Sequence, residues 1–185
     1  MPMPRLARKR ASASQRPWLS KKRNVYHDGT NLHVLGRYDN ALELGGVAQP
    51  PGVRGFFLQL DAAGAIVANS VMSLGNGAIT TTPEAFAVDD TGDIFIVGTF
   101  TGTTFHGVTV TGTNNSFLLH YSGTPPVRQT THVFSGTGAT VAALDVTTGT
   151  QAEDAIFVAG HFLGMVDFDP PRSSTSLEGL YARAS

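Results

Sequence analysis

One short pattern recurs three times along this chain at a fixed interval. Leu32-His33-Val34-Leu35-Gly36-Arg37-Tyr38, Ile94-Phe95-Ile96-Val97-Gly98-Thr99-Phe100 and Ile156-Phe157-Val158-Ala159-Gly160-His161-Phe162 each run through strand-favouring residues to a glycine, a variable residue and an aromatic. The glycines are evenly spaced, since 98 − 36 and 160 − 98 both equal 62 residues. A fixed period of tens of residues marks an array of one supersecondary unit, which buries its apolar faces only against its neighbours.

The match extends to both sides of the glycine strand. Upstream, Ala85-Phe86-Ala87-Val88-Asp89-Asp90-Thr91-Gly92-Asp93 reads as a strand and a tight Asp-Gly turn. Asn24-Val25-Tyr26-His27-Asp28-Gly29 and Val141-Ala142-Ala143-Leu144-Asp145 are its counterparts, with His27 standing where the second copy has Asp89. If Asp145 answers to Asp89, the third copy is six residues longer here, because 160 − 145 is 15 and 98 − 89 is 9. Downstream come Gly46-Val47 and Gly107-Val108, then third strands over 55–61, 116–122 and 179–185. Fourth strands follow over 65–74 and 129–135.

Helical periodicity is absent, so the expected fold is all-β. Four antiparallel strands per unit is the arrangement of a β-propeller blade. The period exceeds the roughly 40–50 residues of common propeller repeats, and the alternating excursion at 103–111 accounts for the excess as an extra hairpin. The expectation is a partial β-propeller of about two and a half to three blades over residues 24–185, preceded by a disordered basic tail at 1–23. The blades are placed at 24–84, 85–139 and, incomplete, 140–185. Because a propeller closes with about four to eight blades, the chain is expected to be a fragment of a longer protein, the alternatives being closure by assembly with other copies or an open stack of sheets.

These units resemble the bacterial SBBP repeat, a family of seven-bladed β-propellers. Ala87-Val88-Asp89, Gly98-Thr99-Phe100, the run from Phe56 to Gly64 and the run from Gly164 to Pro170 carry the likeness. The resemblance implies a secreted or cell-envelope setting in bacteria and no common enzymatic activity.

Charge is divided unevenly. Residues 1–23 hold eight Arg and Lys and no acid; the remainder holds five Arg against 14 acids, a formal 5 − 14 = −9. Nucleic-acid binding is therefore expected only through the tail. The tail lacks the apolar segment of a secretory signal. No apolar run approaches the ~18 residues of a membrane-spanning helix, and the chain contains no Cys.

Asp89, Asp90 and Asp93 place three carboxylates in five residues, a candidate Ca²⁺ site because that ion prefers oxygen ligands. The alternative is an Asp-Gly turn, which turn chemistry favours. The six histidines, His27, His33, His106, His120, His132 and His161, lack the spacing of a metal motif. No catalytic or cofactor-binding residue is assigned. Gly36, Gly98, Gly160, Tyr38, Phe100 and Phe162 are read as structural repeat positions. The expected function is a non-enzymatic scaffold that binds protein or glycan. The alternative is the propeller part of a polysaccharide-acting hydrolase or lyase, or an accessory domain to one.

Overall fold

The computed structural model of the chain describes residues 24–75, 79–112, 114–149, 155–166 and 168. The expected tail at 1–23, and the third strand expected at 179–185, lie outside the described residues. Among the described residues every regular element is a strand.

The first unit is a four-stranded antiparallel sheet in the order β1 (Val25–His27), β2 (Leu32–Tyr38), β5 (Arg54–Leu60) and β6 (Met72–Ser73). Its excursion is a separate hairpin, β3 (Leu42–Leu44) with β4 (Val47–Gln49). The second unit repeats this order with β7 (Thr80–Val88), β8 (Ile94–Thr101), β11 (Asn114–Ser122) and β12 (Val127–Phe134). Its excursion hairpin is β9 (Thr104–Phe105) with β10 (Val108–Thr109). The third unit shows the hairpin β13 (Thr140–Thr148) with β14 (Ile156–Leu163). The first two units are antiparallel and four-stranded, as the repeat predicts, and β13 also joins the second sheet by a parallel bridge between Asn114 and Thr140. β7 begins at Thr80, within the stretch that the sequence alone assigns to the first unit.

Cross-strand pairing revises the alignment of the copies. His27 pairs with Leu32, Val88 with Ile94 and Thr148 with Ile156, so these three residues are the equivalent strand ends. Asp28, not His27, therefore answers to Asp89. Asp145 sits inside β13 opposite Ala159, so it is not the counterpart of Asp89. From strand end to glycine the third unit spans 160 − 148 = 12 residues and the second 98 − 88 = 10, an excess of two rather than six. The resemblance of Leu144-Asp145 to Val88-Asp89 lies in residue type alone. Leu144 instead occupies a β-bulge, at the place where Glu84 bulges in the second unit.

The expected fourth strand over 65–74 is also shorter than predicted, with only Met72–Ser73 joining the sheet and Ile66 forming one isolated bridge to Leu60. Ser70 takes over the intervening pairing. Its Oγ accepts from the Gln59 N–H at 3.1 Å and donates to the Gln59 carbonyl at 3.2 Å. Neighbouring Asn69 is left-handed, with φ 59°, which takes the chain out of strand geometry.

The second sheet is buried on both sides. Ile94, Ile96, Phe117 and Leu119 join Leu35, Phe57, Met72 and Leu74 in a core against the first unit. The alternate residues Phe95, Val97 and Leu118 join Val141, Ala143 and Val146 in a core against the third. Successive strand residues point to opposite faces, so a strand with neighbours on both faces reads as the continuous apolar run Ile94-Phe95-Ile96-Val97. A side-chain hydroxyl ties each junction at the same repeat position, beside the backbone bond from Thr81 N–H to the Val53 carbonyl at the first and the Asn114–Thr140 bridge at the second. The Gly55 N–H donates to Thr81 Oγ1 at 2.9 Å; Ser116 Oγ donates to the Val141 carbonyl at 2.8 Å and accepts from the Ala143 N–H at 2.9 Å.

The repeated glycines are explained by close approach. A Cβ on Gly98 would lie 2.4 Å from the Thr82 carbonyl oxygen and 2.7 Å from the Phe117 ring. On Gly160 it would lie 2.1 Å from the Ala142 carbonyl oxygen. On Gly36 the obstacle is the tip of the half-buried Phe56 ring, which can swing away. Of the aromatics two residues on, Tyr38 donates to the Pro50 carbonyl at 2.8 Å, Phe100 stacks on Phe105 at 4.5 Å, and Phe162 meets Phe168 edge-on at 5.0 Å. Gly98→Ala is expected to destabilise the chain by about 1–3 kcal/mol through overpacking, and Gly36→Ala by clearly less. Urea unfolding of the two variants checks the order.

Candidate functional site

Polar chemistry gathers at two places: the turns that open each glycine strand, and the tip of the second excursion hairpin. In the first unit Asp28 Oδ1 accepts from the N–H groups of Thr30 and Asn31, both at 2.7 Å. In the second, Asp89 Oδ1 accepts from Thr91 N–H, Thr91 Oγ1 and Asp93 N–H at 2.8–2.9 Å. Asp61 does the same for the turn after β5, taking Ala63 and Ala65 N–H at 2.9 Å. Aspartate favours such turns because its short carboxylate stands in for a backbone acceptor.

Two histidines tie these turns to the sheets. His33 Nε2 lies 2.7 Å from Asp28 Oδ2, and His120 Nε2 lies 2.8 Å from Asp93 Oδ2. The two pairs use different repeat positions. His33 is on β2 where the second unit has Phe95, whereas His120 is on β11 opposite Phe95 and stacks on it at 4.6 Å. His33 is 2% exposed among Tyr26, Phe57 and Phe86. Burial raises the Asp28 carboxyl, but the hydrogen bonds from His33 and from Asn31 and Thr30 N–H outweigh it and hold Asp28 at about 2.

The candidate calcium residues are thus divided among different tasks. Asp89 organises the turn, Asp93 binds His120, and Asp90 is exposed. Among the described residues no group of three or more His, Cys, Asp or Glu is arranged to hold a metal ion. Asp167 and Asp169 lie outside the described residues. His27 accepts from the Gly29 N–H at 3.1 Å in its own turn, His161 is exposed on β14, and His132 lies on β12.

The second place was not visible as a cluster in the sequence. Each excursion hairpin turns on two residues of positive φ: Gly45 (59°) and Gly46 (77°) in the first unit, His106 (48°) and Gly107 (89°) in the second. Such two-residue hairpin loops require positive φ at both central positions, and glycine meets that requirement without strain. His106 therefore carries a side chain where its counterpart carries none. That ring meets Phe105 edge-on at 4.5 Å, and its Nδ1 faces the Arg128 guanidinium. Burial first, and the Arg128 charge second, push His106 down to about 4, so at neutral pH it is uncharged. Burial pushes the nearby Tyr121 hydroxyl up to about 12, with Arg128 pulling it the other way. The available signal was the alignment of Gly45-Gly46 with His106-Gly107.

Across the described residues three Arg face nine Asp and Glu, a formal 3 − 9 = −6 with His neutral. Arg37 pairs with Asp39 at 3.4 Å, and Arg54 is buried with its Nε donating to the Pro51 carbonyl at 3.1 Å.

Two acid-labile contributions follow from these groups. The folded chain holds His106 below its ordinary 6.5, so the unfolded state binds more protons between about 6.5 and 4. His106 stabilisation is complete above that window and lost as pH falls through it. The Asp28 contribution is complete above 3.8 and lost as pH falls toward about 2. In denaturant titrations, His106→Asn is expected to lose the stability decline between pH 6.5 and 4 while keeping the decline below 3.8.

No protein-family model, curated protein or solved structure matches this chain.

Proposed function

We propose that this chain is a set of β-propeller blades of the SBBP type, acting as a non-enzymatic scaffold for a protein or glycan in a bacterial extracellular or cell-envelope setting. The observation that carries this reading is how the repeat spends its residues. Gly36, Gly98 and Gly160 make room for packing, and Asp28, Asp61 and Asp89 close turns. By contrast, the residue after each repeat glycine, Arg37, Thr99 or His161, differs in every copy and keeps contact with solvent. Rigid sheets that present changing side chains are suited to recognition. The acidic, lysine-free body favours neutral or basic ligands over nucleic acid. The setting rests on the resemblance to SBBP repeats.

A glycan array and affinity capture from a bacterial envelope extract test this with the whole chain. The expected result is a ligand recovered chemically unchanged. A shortened or cleaved glycan would replace the scaffold reading with a hydrolase or lyase, and the absence of any ligand in both experiments would overturn it.

A further inference from the structure

The tip of the second excursion hairpin makes a contact that only one protonation state allows. A guanidinium has donors and no acceptor, so His106 Nδ1, which faces Arg128, is the acceptor of that bond. The ring is therefore neutral, with its proton on Nε2. A proton added at Nδ1 removes the acceptor and sets two cations against each other.

The surroundings offer an imidazolium no compensation. Among the described residues the charged and titratable groups beside the ring are Arg128 on β12 and Tyr121, the cross-strand partner of Arg128 on β11. The stretch 103–111 contains no other titratable residue. Little else secures the tip. β9 and β10 share two residue pairs, Phe105 with Val108 and Thr104 with Thr109. Phe105 is fully buried and stacked on Phe100 and Phe117, which anchors the base of the turn. His106 itself holds a left-handed backbone, φ 48°, where the first hairpin has Gly45. A residue with a side chain keeps that conformation only while its surroundings enforce it.

We infer that His106 and Arg128 form an acid-operated latch: protonation of His106 lifts the tip of the second excursion hairpin off β12 while the sheets stay folded. The inference goes beyond the scaffold reading and does not depend on it. In the open tip the ring returns to its ordinary 6.5, whereas the closed tip holds it at about 4. The closed tip is thus fully favoured above 6.5. The open population then rises about tenfold per pH unit as pH falls toward 4, roughly 300-fold in all, and levels off below that. Opening releases Arg128 and adds a second cation at the outer edge of an otherwise acidic body.

Nuclear magnetic resonance on the whole chain, from neutral pH to below 4, tests this. Expected are the Nε2–H tautomer of His106 at neutral pH and a ring midpoint near 4. Amide protection factors at 104–109 should fall with pH while those of β8 and β11 hold. The first hairpin, 42–49, turns on Gly45 and Gly46 and should keep its protection throughout. His106→Gly should abolish the pH dependence at 104–109. Arg128→Gln keeps a donor but loses the charge, so it should raise the midpoint and shrink the fall. An Nδ1–H tautomer, a midpoint at the ordinary 6.5, flat protection at 104–109, or a loss shared with 42–49 or the sheet amides would overturn the latch. So would an undiminished fall in His106→Gly. If that variant loses its β circular dichroism, Arg128→Gln is read instead, and an unchanged midpoint and fall there overturn the inference.

Discussion

Everything in this chain depends on apolar packing between successive sheets. The second sheet sends Ile96, Phe117 and Leu119 to one neighbour and Val97 and Leu118 to the other. Full burial of such a side chain contributes roughly 1.5–3 kcal/mol, whereas the net value of a hydrogen bond such as Gly55 to Thr81 is about 1 kcal/mol. Many side chains share the first kind of contact, and among the described residues each junction has only a few ties of the second. Packing therefore holds the units together, and the polar ties set their register. It also bears on Gly98, because Phe117 reaches its place only where that glycine leaves room for it, whereas at Gly160 the obstacle is the Ala142 backbone of the paired strand.

The turns obey a different physics. Asp28 and Asp89 each turn one carboxylate oxygen onto backbone N–H groups, which pins the chain reversal between two strands. In both units the turn is then held to the sheet by a histidine, but the units use different strands to supply it. His33 reaches its partner from β2, and His120 from β11. The repeat has preserved the contact between turn and sheet without preserving the residue that makes it. The carboxylate cluster at 89–93 is accordingly engaged in turn geometry and a histidine contact. At His106 the second unit departs from the first more sharply, holding a neutral imidazole against Arg128 at a left-handed position that glycine fills elsewhere.

How much of this was legible in the sequence follows from what kind of force fixed each feature. The 62-residue spacing, the strand-Gly-aromatic pattern and the Asp-Gly turns express local rules of pleat, turn and close approach, so they can be read from residue types. They determined the all-β class, the four-strand unit and the presence of an excursion hairpin. Residue type misled where two positions looked alike but paired differently. Asp145 resembles a strand-end acid, yet the bulge at Leu144 and the pairing with Ala159 carry β13 three residues further. The stretch from Ala65 to Ser70 has strand-like spacing, yet Ser70 satisfies Gln59 through its hydroxyl and leaves a two-residue strand.

Only the tertiary structure decided which apolar face meets which neighbour and which charged groups meet at all. His33 with Asp28 are near in sequence, but His120 with Asp93 and His106 with Arg128 are separated by 27 and 22 residues. Such pairs come together because sheet register and hairpin folding carry distant segments side by side, and no local preference encodes that. The sequence by itself determined the repeated unit, through periodicity and turn chemistry. The tertiary structure decided how the units stack, because burial depends on which face each strand presents to the next sheet.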